Sequence, residues 1–528
     1  MIESLVAIVA AVCIAAAILD RPGKRRAGAM VLALILAPAL IAGDQWQATQ
    51  VAELRSSPAL LLAALVGTAT VVAALAVLFD RRPLLLPVLI LVALPFRIPL
   101  AVGGEDANLL LPLYLVLASG VLASAYRWWR PRPGSPGGLS RVTGSGNAPV
   151  DPESAAVFPS GFAAWMKPLL AVSVLIYAVG LLYSDDQSQG LLNFCFFLVP
   201  FALVFTLMID IDWNPRMIRV ALYTVIGLGL VWAVVGFVEY QMRELLWNEV
   251  VIRSNDFHVY FRVNSLFWDP NVYGRYLALV ITVVAAALLW ARQQREAIAL
   301  AVVSGVLWLA LITTFSQSSF IALLAGLAAL AALRWSMKLV IGGIAGLAAL
   351  TLVFAVFAGG LIKLDLDRLN PQTAGRADLV SGGIELFADR PIAGYGPGSF
   401  SLSFQEQISG PDAPVTESHT EPITVAAEQG LVGLAVYLAL IVSSIFVLAA
   451  GMRSSMPGFR NSRAGDQPDV EDAAGRGPPA ARAAVLAAFI AVLVHTLTYA
   501  GFLDDPVTWV LLAIGYSLAF PCRATSAA

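Results

Sequence analysis

The sequence predicts an all-α fold, a polytopic bundle of about 12–15 transmembrane helices with one long folded extracytoplasmic loop. Three observations carry that expectation. Of 528 residues, 59% are hydrophobic and 13% charged, against roughly 45–50% and about 25% in soluble domains. Mean hydropathy is +0.79. Apolar runs of about 20 residues, the length that crosses a bilayer as a helix, recur along the whole chain. A net charge of −2 leaves no basic excess that argues for nucleic acid, and membrane lipids are the expected surroundings. Cys13, Cys195 and Cys522 are scattered and form neither a disulfide framework nor a zinc or CxxC spacing.

Taken in order, Met1–Leu19 has its basic residues behind it, in Asp20-Arg21-Pro22-Gly23-Lys24-Arg25-Arg26. That is the reverse of a cleavable signal, so the run reads as a retained first span (4–19). Spans at 28–42, 59–79, 84–96 and 108–126 complete an N-terminal block, residues 1–126; Pro87 and Pro95 interrupt the fourth. Residues 127–167 are expected to be a cytoplasmic disordered linker. Its centre, Pro131–Val157, is rich in Gly, Pro and Ser and buries too little apolar surface to fold. The transmembrane core, 168–358, holds spans at 168–183, 191–209, 217–240, 270–290, 297–314, 318–333 and 339–358. An extracytoplasmic loop at 359–421 precedes a span at 422–450. A second cytoplasmic linker, 451–482, leads to the C-terminal block 483–528, with spans at 483–500 and 506–521.

Basic residues orient the bundle, because cytoplasmic loops carry the Lys/Arg excess. With the N-terminus outside, Lys24/Arg25/Arg26, Arg81/Arg82, Arg127/Arg130, Arg216/Arg219, Arg292/Arg295 and Arg334/Lys338 all fall inside. Two outer loops then stand out. Gln241–Asn271 is dense in aromatic and charged residues, and Gly359–Glu421 is too long for a plain connection. Its apolar content predicts a loop folded against the outer membrane face.

The candidates for chemistry lie in those loops. Arg262 stands in Tyr260-Phe261-Arg262-Val263-Asn264-Ser265-Leu266-Phe267-Trp268-Asp269-Pro270-Asn271, and Arg376 opens an amphipathic segment. A guanidinium presents a planar fork of donors that fits phosphate oxygens, so two near the outer leaflet suit a lipid-linked diphosphate. The plainer alternative pairs each with a nearby carboxylate, Asp269 or Asp378. His419, in Glu417-Ser418-His419-Thr420-Glu421-Pro422, titrates near neutrality and can take a proton from a sugar hydroxyl, with Glu417 or Glu421 orienting its ring. A capping or exposed histidine is the alternative. His495 reads as a satisfied polar group inside a span. Gly394-x-Gly396-x-Gly398 reads as turn geometry, since no strand precedes it and Pro397 interrupts it. Thr313–Ser319 joins two spans tightly and is placed to line a cavity. Asp185-Asp186 and Asp504-Asp505 read as solvated helix caps, with no third ligand nearby for a metal.

Together these residues resemble the O-antigen ligase and O-antigen polymerase family of bacterial membrane glycosyltransferases. Arg262–Tyr273 is similar to the family's Arg-then-Pro-Asn segment before a span, and Thr313–Phe320 to its Thr-x-Ser-Arg turn. Gly375–Gly433 resembles its long periplasmic loop, with Gly375-Arg376 at the start, Pro391-x-x-Gly394-x-Gly396 within it, and His419-Thr420 followed by Gly430-Leu431-Val432-Gly433. Gln317 stands where the family usually has arginine, Thr420 where Asn, Ser or Gln is usual, and Val380 where Leu or Trp is frequent.

The resemblance implies inverting, metal-independent transfer of a glycan from undecaprenyl diphosphate at the outer face of the plasma membrane. The acceptor is a hydroxyl on a glycan, lipid or protein, and no cofactor is needed because the donor arrives activated. Arg262 and Arg376 would hold the diphosphate and His419 would activate the acceptor, which requires all three to share one pocket. Ligases and polymerases share these motifs, so both remain open. The alternative, a multi-pass transporter or flippase of a polar or lipid-linked substrate, expects ionisable groups within spans. The spans offer few (Glu239, Arg275, His495).

Overall fold

The computed structural model describes residues 2–44, 57–102, 105–130, 159–246, 251–252, 255, 260–336, 338, 340–342, 376–410, 418–450, 452 and 478–521. Most of the two expected linkers, nearly all of the expected span at 339–358, the loop up to residue 375 and Glu417 lie outside the described residues.

The chain is an all-α polytopic bundle. In chain order its helices are α1 (Ile2–Leu19), α2 (Lys24–Asp44), α3 (Pro58–Arg81), α4 (Leu85–Ala93), α5 (Leu111–Trp129), α6 (Gly161–Gly180), α7 (Gln187–Met208) and α8 (Pro215–Met242). They continue with α9 (Pro270–Leu289), α10 (Gln294–Thr313), α11 (Gln317–Arg334), α12 (Arg376–Asp389), α13 (Phe400–Phe404), α14 (Glu421–Ala449), α15 (Pro479–Thr496) and α16 (Pro506–Ala519). Eleven of those described are long and apolar enough to cross a membrane. Two expected spans are shorter than the apolar runs implied. α4 has 9 residues, about 13 Å at 1.5 Å per residue, because Pro95 has no N–H with which to continue the hydrogen-bond ladder. The chain continues instead into a two-stranded antiparallel hairpin, Ile98–Val102 with Glu105–Leu109. α16 has 14 residues.

Several helices begin with the same local chemistry. Asn214, Asp269 and Asp505 each precede a proline, and each side chain accepts an amide hydrogen from the first turn (Met217, Asn271 and Val507). The cap satisfies an otherwise orphaned donor, while proline at the first helical position sacrifices none. Close packing between helices uses small residues, as expected where lipid gives no hydrophobic drive to associate. Gly274 of α9 lies against Ser319 and Ser316, and Gly326 of α11 against Thr282.

Helix ends sort cleanly. At one end, Ser4 of α1 donates to Leu181 O after α6, and Ser188 of α7 donates to Asp44 at the end of α2. At the other, Arg26 of α2 pairs with Asp210 after α7 (2.9 Å), and Ser517 of α16 donates to Ile209 O. The second end also gathers Arg127 at the end of α5 and Arg482 at the start of α15. This alternation matches the parity that the charge bias expects. Apolar side chains on the outer faces of α3 and α8, such as Leu62, Leu65, Val231 and Val234, are exposed, as lipid-facing positions are.

Candidate functional site

The end opposite the arginine-rich one carries the site, and a kink in α14 builds it. Gly430 has φ 62° and ψ −160° inside the helix, a conformation open essentially only to glycine. The break frees backbone groups of α14 for the incoming loop. Tyr395 N donates to Ala427 O (3.0 Å), Gly396 N to Glu428 O (2.8 Å), and Leu431 N to Pro391 O (2.8 Å). Gly394, Gly396 and Gly398 all have positive φ (69°, 93° and 81°) and press on Glu428, Ser184 and Gly190. The Gly-x-Gly-x-Gly stretch is thus a turn that seats the loop, as its sequence context predicted. Behind it, Leu379 and Leu386 of α12, Tyr395, Phe400, Phe404 and Ala427 form a small apolar core. The described part of the long loop is therefore folded onto the bundle. Tyr395 shares its hydroxyl between Asp389 Oδ2 and Gln407 Oε1 (2.6 Å each), and burial raises its pKa above the usual phenol value.

Beside this seat is a cavity of about 520 Å³. Its walls come from the ends of α6, α7, α9 and α14, from the α15–α16 connection, and from Arg97 ahead of the hairpin. Charged residues concentrate here. Arg275 is 5% exposed, and its Nη2 lies 2.7 Å from Asp505 Oδ2. Arg97 is half-buried; burial works against its charge, and Asp505 supports it. Glu421 Oε2 accepts from Gly501 N (2.7 Å), and Glu428 Oε1 from Phe400 N (3.1 Å). Trp268, Tyr177, Tyr437 and Tyr499 supply aromatic faces.

The residues singled out from sequence fall around this cavity in different ways. The His419 ring stacks on Tyr499 (centroids 5.8 Å apart, planes at 23°), and Tyr499 lines the cavity, as does Ser418. The Glu421 carboxylate faces the Gly501 amide. Arg262 is a joint between segments: its Nε donates to Thr314 O (3.0 Å) and its Nη2 to Asn271 Oδ1 (3.2 Å). Its backbone is held in both directions by Asn255 (3.0 Å each). The alternative partner, Asp269, instead caps α9. Arg376 is the first residue of α12; its side chain lies outside the described residues.

A continuous line of contacts joins His419 to Arg262. Tyr499 packs against the His495 ring (5.8 Å), and His495 Nε2 sits 3.5 Å from Ser319 Oγ. Ser319 Oγ lies 2.8 Å from Ser316 Oγ, which donates to Asn271 Oδ1 (2.9 Å), the acceptor of Arg262. The Thr313–Ser319 turn is the hub of this network, with Phe315 at φ 49°. Gln317 is exposed beside it.

One sequence expectation is corrected. Asp505 does cap α16, but it is not solvated: it is 4% exposed, because it also neutralises Arg275. Asp186 caps α7 as expected, and Asp185 pairs with Arg390 (3.0 Å). Arg97, Tyr499 and Glu428 carried no sequence signal of their own, since only the fold brings them to one cavity.

No curated protein matches the chain. Residues 302–438 match the O-antigen ligase family (Wzy_C), a stretch that runs from α10 through the first two-thirds of α14. It contains the Thr313–Ser319 turn, Arg376, the loop seat, His419 and Gly430. This match supports an O-antigen ligase family assignment and a broad role in cell-surface polysaccharide assembly for a multi-pass helical membrane protein.

Proposed function

We propose that this protein transfers a glycan from undecaprenyl diphosphate to an acceptor hydroxyl at the extracytoplasmic face of the plasma membrane, with inversion and without a metal. The observation that carries this reading is the union of the O-antigen ligase stretch with the cavity: His419 lies against Tyr499 in the cavity wall, at the end that the positive-inside bias assigns to the outside. His419 accepts the acceptor's hydroxyl proton as its oxygen attacks the anomeric carbon. The bond from that carbon to the diphosphate oxygen breaks, its electron pair stays on the diphosphate, and undecaprenyl diphosphate departs. Arg376, and Arg262 through the turn it holds, stabilise the charge that develops there.

Transport receives less support. Glu239 is occupied by the amides of Ser265 (2.7 Å) and Leu246 (3.3 Å), and Arg275 by Asp505. These ionisable groups of the spans sit at one end, engaged in loop contacts. Deletion of the gene followed by analysis of surface glycans tests the proposal. Loss of long chains indicates polymerisation, and accumulation of finished chains on undecaprenyl diphosphate indicates ligation. An unchanged surface polysaccharide contradicts both.

A further inference from the structure

Arg275 presents an unmet donor. Its side chain is 6% exposed, Nη2 is committed to Asp505 at 2.7 Å, and Nη1 is buried with no hydrogen-bond acceptor among the described residues. A buried guanidinium N–H without an acceptor is costly, so its position on the cavity wall points to a ligand oxygen. The surrounding charges narrow the kind of oxygen. Arg97 and Arg275 share the cavity lining with Asp269, Glu421, Glu428 and Asp504, and Asp505 pairs with Arg275. Among the described residues, Asp269, Asp504 and Asp505 alone outnumber the two arginines, so a diphosphate placed here meets net repulsion. Asp269, Glu421 and Glu428 already accept backbone amides, which leaves the arginines as donors. Trp268 and Tyr437 add flat apolar faces, and the volume of about 520 Å³ falls within the roughly 300–1,000 Å³ of small-ligand sites.

We propose that Arg275 and Arg97 form the floor of a subsite for an uncharged sugar of the glycan, donating to its hydroxyl or carbonyl oxygens, and that the diphosphate lies elsewhere. This rests on the glycan-transfer reading and adds which part of the donor the cavity holds. The test uses the full-length protein in lipid nanodiscs and two probes. One is undecaprenyl diphosphate carrying the glycan that accumulates in cells lacking the gene; the other is undecaprenyl diphosphate without glycan. The variants are Arg97→Gln and the double variant Arg275→Gln/Asp505→Asn, which removes both members of the buried pair. A lost hydrogen bond from a charged donor predicts binding of the glycan-bearing lipid weakened about tenfold, with binding of the glycan-free lipid unchanged. Equal weakening of both lipids overturns the proposal, because it makes the arginines diphosphate contacts, and so does unchanged binding of both. Should the double variant not fold, Arg97→Gln alone decides. Wild-type protein that binds neither lipid refutes the donor reading itself, and this subsite with it.

Discussion

Gly430→Ala isolates the feature that shapes the site. The substitution places a Cβ on a residue at φ 62°, ψ −160°, where strain costs about 1–3 kcal/mol. That Cβ meets Ile392 O and Ala393 N, so the loop must withdraw and loosen the bonds Tyr395 N to Ala427 O, Gly396 N to Glu428 O and Leu431 N to Pro391 O. Each is worth about 0.5–1.5 kcal/mol net, and with the strain the sum is about 2.5–7.5 kcal/mol of local stability. Amide hydrogen exchange reads local opening directly. Protection of Tyr395, Gly396 and Leu431 is expected to fall by a factor of at least about 70, and glycan transfer to fall with it. Gly305→Ala is the control, since its Cβ meets nothing within 4 Å on α10; helix propensity predicts a neutral or slightly stabilising effect. Unchanged protection in Gly430→Ala would show that the kink does not hold the loop, and the reasoning would fail.

Asp505→Ala strands the buried Arg275 and is expected to destabilise the protein by about 3–5 kcal/mol. Asp185→Ala removes a pair whose side chains are 37% and 44% exposed and costs at most about 1 kcal/mol; equal losses of thermal stability would contradict the assignment of burial. Arg262→Lys keeps the charge but loses the forked reach to Thr314 O and Asn271 Oδ1. A drop in transfer rate of tenfold or more is expected, and full activity would show that the joint is dispensable. Gln317→Arg, at an exposed position, is expected to leave the thermal midpoint unchanged, and a large loss would mean that the turn is tighter than described.

Composition and run length were enough for the bundle, because crossing a bilayer imposes a length and an apolar content that any sequence must show. They overstated α4 and α16, which end at Ala93 and Ala519, short of the apolar runs: hydropathy counts residues without distinguishing backbone conformations. The Asp186 and Asp505 caps and the glycine turn were legible because their cause is local. Burial of Asp505 was not, since its partner Arg275 lies 230 positions earlier in the sequence. Arg262 was noticed for its charge, yet its neighbours Thr314 and Asn271 belong to segments that only tertiary packing brings together. The same holds for Tyr499, an ordinary residue by pattern whose ring lies between His419 and His495.

The central claim is that His419 performs the proton transfer of glycosyl transfer beside this cavity. Purified wild-type protein and His419→Ala, reconstituted in liposomes with the glycan-bearing undecaprenyl diphosphate and the cell's own acceptor fraction, test it most directly. The wild type is expected to yield transferred glycan and free undecaprenyl diphosphate, while His419→Ala binds the donor normally and yields neither. Transfer by His419→Ala at the wild-type rate would remove the imidazole from the mechanism.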